Sequence, residues 1–536
     1  MVMKIWASLD DHVMPTQAVG VVGRNVANHR FLRALLRHGS FDEYWFFLSN
    51  TSHVRHFESV QGEWIRKLGV ADKVRVFDIV DLPAQVAGQQ GLVFHQSDHV
   101  NRFNALCRVR NRLGAGFPVT AFIHSISYHD YMSRYLELAH TGATIGDAII
   151  CSSQAGRQAL RNGFAQIEQG LAVSKPQVRL EQVPLGLEDD APALDRAAMR
   201  QAAGIRPDEV VALCFGRFSD FDKMDLFPLV QAFRRLQASQ RPWRLILAGA
   251  THSPDYLEMV QLWTRLLQVD NKIMFLPDTS EADKAALFSM SDFFVSVADN
   301  PQETFGLTLL EALRAGLPLL VSDWNGYREI ATDDVALRVP TAWVRHEALE
   351  VLHPIMDDLS FHRYVAQATV VDVAGLATGL ERMFQDAGLR ATLGQAARHR
   401  FLTTYDYHLV IQRLELIWDE LVQGFARQAP VPDALCMDLG SQFAHYPSRV
   451  LQGQERVRTS ARGLDLLAAG DTQPLLPGME VMVSQLEVAR LLQAAVSGAT
   501  LAELWADDDA SDGKRRYISL WMLKQDLLEL LPSDPG

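Results

Sequence analysis

At 536 residues the chain has room for about three to four domains, which excludes a single small binding module. It is 48% hydrophobic, 9% aromatic and 21% charged, a balance that buries several cores and excludes disorder over most of the length. Fifty-one Lys and Arg against 64 Asp and Glu leave a net charge of −13, so a nucleic-acid coat over most of the surface is excluded and any anion site must be local.

Four scattered cysteines, Cys107, Cys151, Cys214 and Cys436, suit neither a disulfide framework nor a C-x-x-C metal cage, and a reducing compartment fits them best. No run reaches the roughly 18 to 20 apolar residues that span a bilayer. Asp10 and Asp11 stand where a signal peptide would need its apolar core. The expected location is the cytoplasm, with a peripheral place at the inner face of a membrane left open.

In chain order, apolar runs rich in β-branched and aromatic residues alternate with helix-period segments, the pattern of a parallel sheet with covering helices. Strands are expected at 3–7, 44–48, 73–77, 92–95, 118–123 and 147–151, with a tail strand at 178–183. After a polar stretch the alternation restarts at 209–216, 244–249, 272–276, 292–297 and 318–322. This predicts two tandem Rossmann-like doubly wound α/β domains, 1–200 and 207–425, joined near 187–207. The second carries a long helical tail over about 378–425. Residues 430–536 read as a linker and a small, mainly helical accessory module with a loose winged-helix pattern. Ligands of such sheets sit outside the carboxyl ends of the strands, which makes the cleft between the two sheets the default site.

The most informative stretch is 303–329, ETFGLTLLEALRAGLPLLVSDWNGYRE. It follows a strand, so Glu303 falls on a strand-to-helix loop, and a helix beginning near Gly306 turns its first amides, from about Phe305 to Thr308, toward the cleft. Those amides and the helix dipole suit a phosphate, and Gly306 lets the backbone approach closely. Glu311, eight residues beyond Glu303 among Leu309, Leu310 and Leu313, needs a partner if buried, and sugar or ribose hydroxyls would serve. The plainer alternative is a first-turn dipole residue at Glu303 and a solvent-facing Glu311. The first strand of the same domain ends FGRFSDFDKMD, which places Arg217 and Lys223 on its carboxyl-side loop, where they could clamp a diphosphate from the other side.

Gly216-Arg217 with Lys223, the pair Glu303 and Glu311 around Phe305-Gly306-Leu307, and SDWNGYRE together resemble the donor domain of family 4 glycosyltransferases of the GT-B fold. The likeness runs over about residues 1–425 and is strongest over 209–331. It implies retaining transfer of a sugar from a nucleotide-diphosphate donor to a glycan, lipid-linked or protein acceptor, with no cofactor and no obligatory metal. By the same resemblance, Arg217 and Lys223 hold the diphosphate and Glu311 the ribose. Glu303 sits beside the donor sugar, and the amides of Phe305, Gly306 and Leu307 touch sugar hydroxyls and phosphate. His124, in TAFIHSISYHD, matches a histidine that approaches the donor sugar or phosphate. Gly20 and Gly23 form a glycine-bearing turn near phosphates and acceptor, without the commoner adjacent Gly-Gly. Removing one such charge-stabilising donor typically costs about 10²–10³ in rate.

Other motifs carry less. His95 and His99 have zinc-helix spacing without the Glu of H-E-x-x-H, and Asp220-Phe221-Asp222 reads as a surface loop between two cations. The glycine spacing is not that of a dinucleotide site, and no G-x-S-x-G elbow is present. The basic helix holding Arg30, Arg33 and Arg37 has two readings: a solvated outer face, or a face for anionic lipid or a phosphorylated acceptor. Lys514, Arg515 and Arg516 stand beside Asp507, Asp508 and Asp509, which cancel their field, so nucleic acid is not an expected partner; a homo-oligomer stays open. The rival functions are a sugar phosphorylase or nucleotide-sugar epimerase on the same fold, and a catalytically idle scaffold working through 430–536.

Overall fold

A computed structural model describes residues 2–13, 23–192, 194–236, 242–506 and 513–532. Gly20 and the acidic run Asp507–Asp509 lie outside them.

The first sheet consists of seven parallel strands: β1 (Ile5–Ser8), β2 (Glu43–Leu48), β3 (Val74–Asp78), β4 (Leu92–Gln96), β5 (Val119–Phe122), β6 (Ala148–Cys151) and β7 (Arg179–Gln182). Their order is β3-β2-β1-β4-β5-β6-β7. The second has six, β8 (Val210–Phe215), β9 (Trp243–Gly249), β10 (Ile273–Pro277), β11 (Phe293–Ser296), β12 (Leu319–Ser322) and β13 (Ala336–Val339), in the order β10-β9-β8-β11-β12-β13. Helices cover both faces, so the central strands are buried on both sides, as in the fully buried run Ala148–Cys151. Both sheets reverse their strand order beside the first strand of the unit, at β1/β4 and β8/β11. Each therefore opens a crevice at its carboxyl edge.

The chain crosses between the domains twice, side by side. Leu187 donates its amide to the Tyr405 carbonyl at 3.0 Å, and Tyr407 donates to the Leu187 carbonyl at 3.0 Å. The last long helix, Tyr407–Gly424, then packs on the first domain, where Ile411, Leu414 and Trp418 join Trp6, Phe31 and Phe122 in one core. Trp418 Nε1 donates to Thr120 Oγ1 at 3.0 Å.

The C-terminal module is mainly helical, as expected, and adds a small sheet. Its helices Ala461–Ala469, Gln485–Ala494 and Gly513–Lys524 pack around a three-stranded antiparallel sheet built from Arg456–Thr459, Ala499–Thr500 and Leu528–Leu530. Its basic run is paired both within the module and with the first domain. Lys514 pairs with Asp81 of the first domain at 3.2 Å, Arg515 with Glu487 at 2.6 Å, and Arg516 lies 5.2 Å from the Trp505 ring. Among the described residues no helix is long and apolar enough to cross a membrane.

Candidate functional site

The loop after β8 is shaped by a backbone pinch. Gly249, at the end of β9, has φ +137°, and a Cβ there would lie 2.0 Å from the Gly216 carbonyl oxygen, so no side chain fits. Beyond the pinch, Phe218 and Met224 anchor the loop in the core, and Asp225 donates its amide to Asp299 Oδ2 at 3.2 Å. Arg217 thereby comes to face Gly23 of the first domain, and Lys223 to face Glu303.

Lys223 is buried, and its Nζ lies 2.6 Å from Glu303 Oε2. Burial works against the ammonium, but the Glu303 carboxylate outweighs it, helped by Tyr327, and holds Lys223 above its ordinary value. Glu303 answers in kind. Burial would raise it, but the charge and hydrogen bond of Lys223, the Phe305 amide at 3.3 Å and the charge of Arg217 hold it below the usual carboxylate value. The pair is ionised in the folded protein.

Arg217 is fixed by Asp222, whose carboxylate lies 3.2 Å and whose carbonyl lies 3.1 Å from Nη2. Asp222 also faces His252 at 3.8 Å, and Asp220 accepts from Arg363 at 2.7 Å. The D-x-D segment is therefore no plain surface loop: both carboxylates are largely buried and committed to cations. Gly23, at the start of the helix Gly23–His38, comes so near that a Cβ there would sit 3.7 Å from Arg217 Nη1.

Gly306 caps the helix Leu307–Arg314 at φ +109°, with the Tyr327 ring 2.6 Å from where a Cβ would stand. The amides of Leu307 and Thr308 lie in the first turn, ahead of any intrahelical acceptor. Phe305 is buried in the core, and its amide already serves Glu303.

Glu311 is buried, which overturns the solvent-facing alternative, because Leu309, Leu310, Ala312 and Leu313 leave that helix no wet side. Its Oε1 receives Arg30 Nη1 at 2.9 Å and Lys284 Nζ at 2.5 Å. Among the described residues its Oε2 has no hydrogen-bond partner. The cations hold the carboxyl below its usual value against the rise that burial alone would give. Arg30 thus turns into the cleft, while Arg33 lies 4.7 Å from the Trp64 ring and Arg37 pairs with Glu188 at 3.4 Å. The three arginines do not share one outward face.

His124 follows β5. Its Nε2 donates to the Ser97 carbonyl at 2.9 Å and to Asn28 Oδ1 at 3.1 Å, which assigns the lone pair to Nδ1. Burial pushes its pKa down to about 4, so the ring is neutral at pH 7. The His124 carbonyl accepts from Thr304 Oγ1 at 2.8 Å, next to Glu303.

Sequence reasoning missed the residues that tie the two sides together. Gln302 accepts from Ser125 at 3.1 Å and donates to the Tyr128 hydroxyl at 2.7 Å, and His362 Nε2 meets Ser127 Oγ at 2.9 Å. No spacing signal links these positions; only the adjacency of Gln302 to Glu303 pointed that way. His95 and His99 do not converge. His95 lies on β4 against Thr120, and His99 meets the Tyr135 hydroxyl at 3.1 Å. Among the described residues no cluster of three or more His, Cys, Asp or Glu could hold a metal.

Residues 195–350 match the family model described as Glycosyl transferases group 1. The chain is 28% identical over 200 residues to the D-inositol 3-phosphate glycosyltransferase of Kineococcus radiotolerans, covering 35% of this chain and 42% of that protein. It is 21% identical over 229 residues to the N-acetyl-alpha-D-glucosaminyl L-malate synthase of Bacillus anthracis, covering 43% and 50% respectively. The chain thus spans half or less of the length of these curated relatives. In fold it is similar to Anabaena HepE, solved in complex with UDP, with a TM-score of 0.53 at 14% identity over 78% of this chain and 100% of that one.

Proposed function

We propose that this chain, a GT-B protein of the family 4 glycosyltransferase type, moves a sugar from a nucleoside diphosphate donor to an acceptor hydroxyl with retention at the anomeric carbon. The observation that carries the reading is the buried Lys223–Glu303 pair, which also feels the charge of Arg217 and takes the Phe305 amide just ahead of the helix Leu307–Arg314. Breaking the sugar–phosphate bond builds negative charge on the departing diphosphate. Two preset cations and a helix start would stabilise that charge without reorganising. A glycosidic bond forms to the acceptor oxygen as the donor bond breaks, and the nucleoside diphosphate leaves with the hydroxyl's proton.

Glu311 would take a ribose hydroxyl on its unpartnered Oε2. A neutral His124 would accept a hydrogen bond from the donor sugar at Nδ1. Glu303, once released from part of its hold on Phe305 and Lys223, would accept from a hydroxyl of the same sugar. The positive charge the leaving group requires comes from Arg217 and Lys223 themselves.

Calorimetric titration with UDP-, GDP- and ADP-sugars tests the reading. At least one should bind, and Arg217→Ala should abolish that binding; silence across the panel contradicts it. Release of nucleoside diphosphate only when an acceptor is present separates transfer from epimerisation and from an idle scaffold.

A further inference from the structure

His124 follows β5 of the first sheet and Glu303 follows β11 of the second, yet the chain bonds them into one unit. Thr304, the residue after Glu303, donates its Oγ1 to the His124 carbonyl at 2.8 Å. Ser125, the residue after His124, donates its Oγ to Oε1 of Gln302, the residue before Glu303, at 3.1 Å. Ser153 Oγ of the first domain adds a third bond, to the Thr304 carbonyl at 2.8 Å. A single bond would leave the two segments free to swivel, whereas bonds running both ways fix their distance and register together.

Gln302 is itself held. Its Nε2 donates to the Tyr128 hydroxyl at 2.7 Å and lies 3.4 Å from Nδ1 of His362, which is fully buried on the helix Asp358–Gln367. An amide NH2 only donates, so Nδ1 is the acceptor and Nε2–H points to Ser127, whose carbonyl lies 3.1 Å and whose Oγ lies 2.9 Å away. One neutral tautomer therefore serves both partners, and burial favours that form. The same helix reaches further. Asp358 accepts the His129 amide at 3.0 Å, Arg363 lies 2.7 Å from Asp220, and Gln367 donates to Asp225 at 3.0 Å. It thus joins the loop after β5, the Gln302 segment and the loop that carries Arg217 and Lys223. None of these bonds involves Arg30, Lys284 or Glu311, the residues at the ribose end of the reading.

We infer that Gln302 and His362 are positioning residues for the transfer: they hold His124 at a set distance from Glu303, so that the sugar of the donor, and not its nucleotide, depends on this brace between the domains. The inference rests on the glycosyl-transfer reading. Small misplacements of groups at a reacting centre are costly, which gives such a brace its purpose.

The full chain is titrated with UDP, GDP and ADP, and with UDP-glucose, UDP-N-acetylglucosamine, GDP-mannose and ADP-glucose. The variants are Ser125→Ala, Gln302→Leu, the two combined, and His362→Phe, which keeps a ring and removes both nitrogens. The Kd of the bare nucleotide should stay within about twofold throughout, which also reports an intact fold, while the Kd of its sugar should rise by about three- to tenfold in each variant. The double variant should match Gln302→Leu, because the leucine has already removed the bond that Ser125 makes. A nucleotide sugar held as tightly by Ser125→Ala and Gln302→Leu as by the wild type overturns the inference. So do equal losses for nucleotide and nucleotide sugar, additive losses in the double variant, or a wild type that binds a nucleotide but none of its sugars. With nucleotide bound, those results leave the diphosphate site standing; a wild type that binds no nucleotide sinks the donor reading and this inference with it.

Discussion

Arg30 of the first domain reaches across the cleft to Glu311 of the second, Nη1 to Oε1 at 2.9 Å, so the carboxylate assigned to ribose is held from both domains at once, with Lys284 supplying the other cation. The pair closes a sequence separation of 281 residues. A carboxylate this deeply buried would be costly without cations, and one of the two that serve it comes from the other domain.

Arg30→Ala should therefore loosen the contact between the two domains while Lys284 still covers the charge. The expected cost is on the order of 1–2 kcal/mol of interdomain stability. Small-angle scattering should show a larger radius of gyration, and the Kd for the bound nucleotide should rise by up to about tenfold. An unchanged radius together with an unchanged Kd would show that the bridge couples nothing.

Lys223→Ala should destabilise the second domain by about 3–5 kcal/mol, because it leaves Glu303 buried and unpaired. Adding Glu303→Gln should recover part of that loss, since the double variant buries no lone charge. Urea midpoints of the two singles and the double give the coupling directly, and strict additivity would contradict an ionised pair.

His124 sets a pH signature. Its folded pKa, about 4, lies below the ordinary 6.5, so between those values the unfolded chain binds a proton that the folded chain refuses. Stability should rise with pH across that window and be fully present above it. Because buried His95 and His99 are shifted the same way, the informative quantity is the difference from His124→Gln, whose profile should be flatter. Identical slopes would place the imidazole in water.

Gly306→Ala should cost about 1–3 kcal/mol from the positive φ alone, and more from the Tyr327 ring that meets the new methyl. Thermal unfolding reads the stability, and nucleotide titration of the folded variant reads the displaced helix start. A variant as stable as the wild type would mean the cap relaxes freely.

Much of this was legible in the sequence for one reason: central parallel strands buried on both faces read as unbroken apolar runs, and the loops that follow them are fixed by topology. Arg217, Lys223, Glu303 and Gly306 could be placed on one cleft edge that way. β13 escaped because ALRV at an edge buries only its two end residues and exposes Arg338, and Arg456–Thr459 escaped because RVRT buries only every second side chain. Arg30, Gln302 and His362 escaped because their contacts join the two domains, and nothing local in a helix or loop encodes which distant carboxylate or hydroxyl it will meet. The basic helix is the clearest case. Its spacing reads as an outward stripe, whereas burial of Glu311 draws one arginine inward.

The most direct test is a crystal structure of the full chain with UDP, GDP or ADP, whichever binds. The account predicts the terminal phosphate between Arg217 and Lys223 against the Leu307 and Thr308 amides, with a ribose hydroxyl on Glu311 Oε2. A nucleotide seated elsewhere, or phosphates that leave the Lys223–Glu303 pair untouched and Arg217 on Asp222 alone, would contradict it.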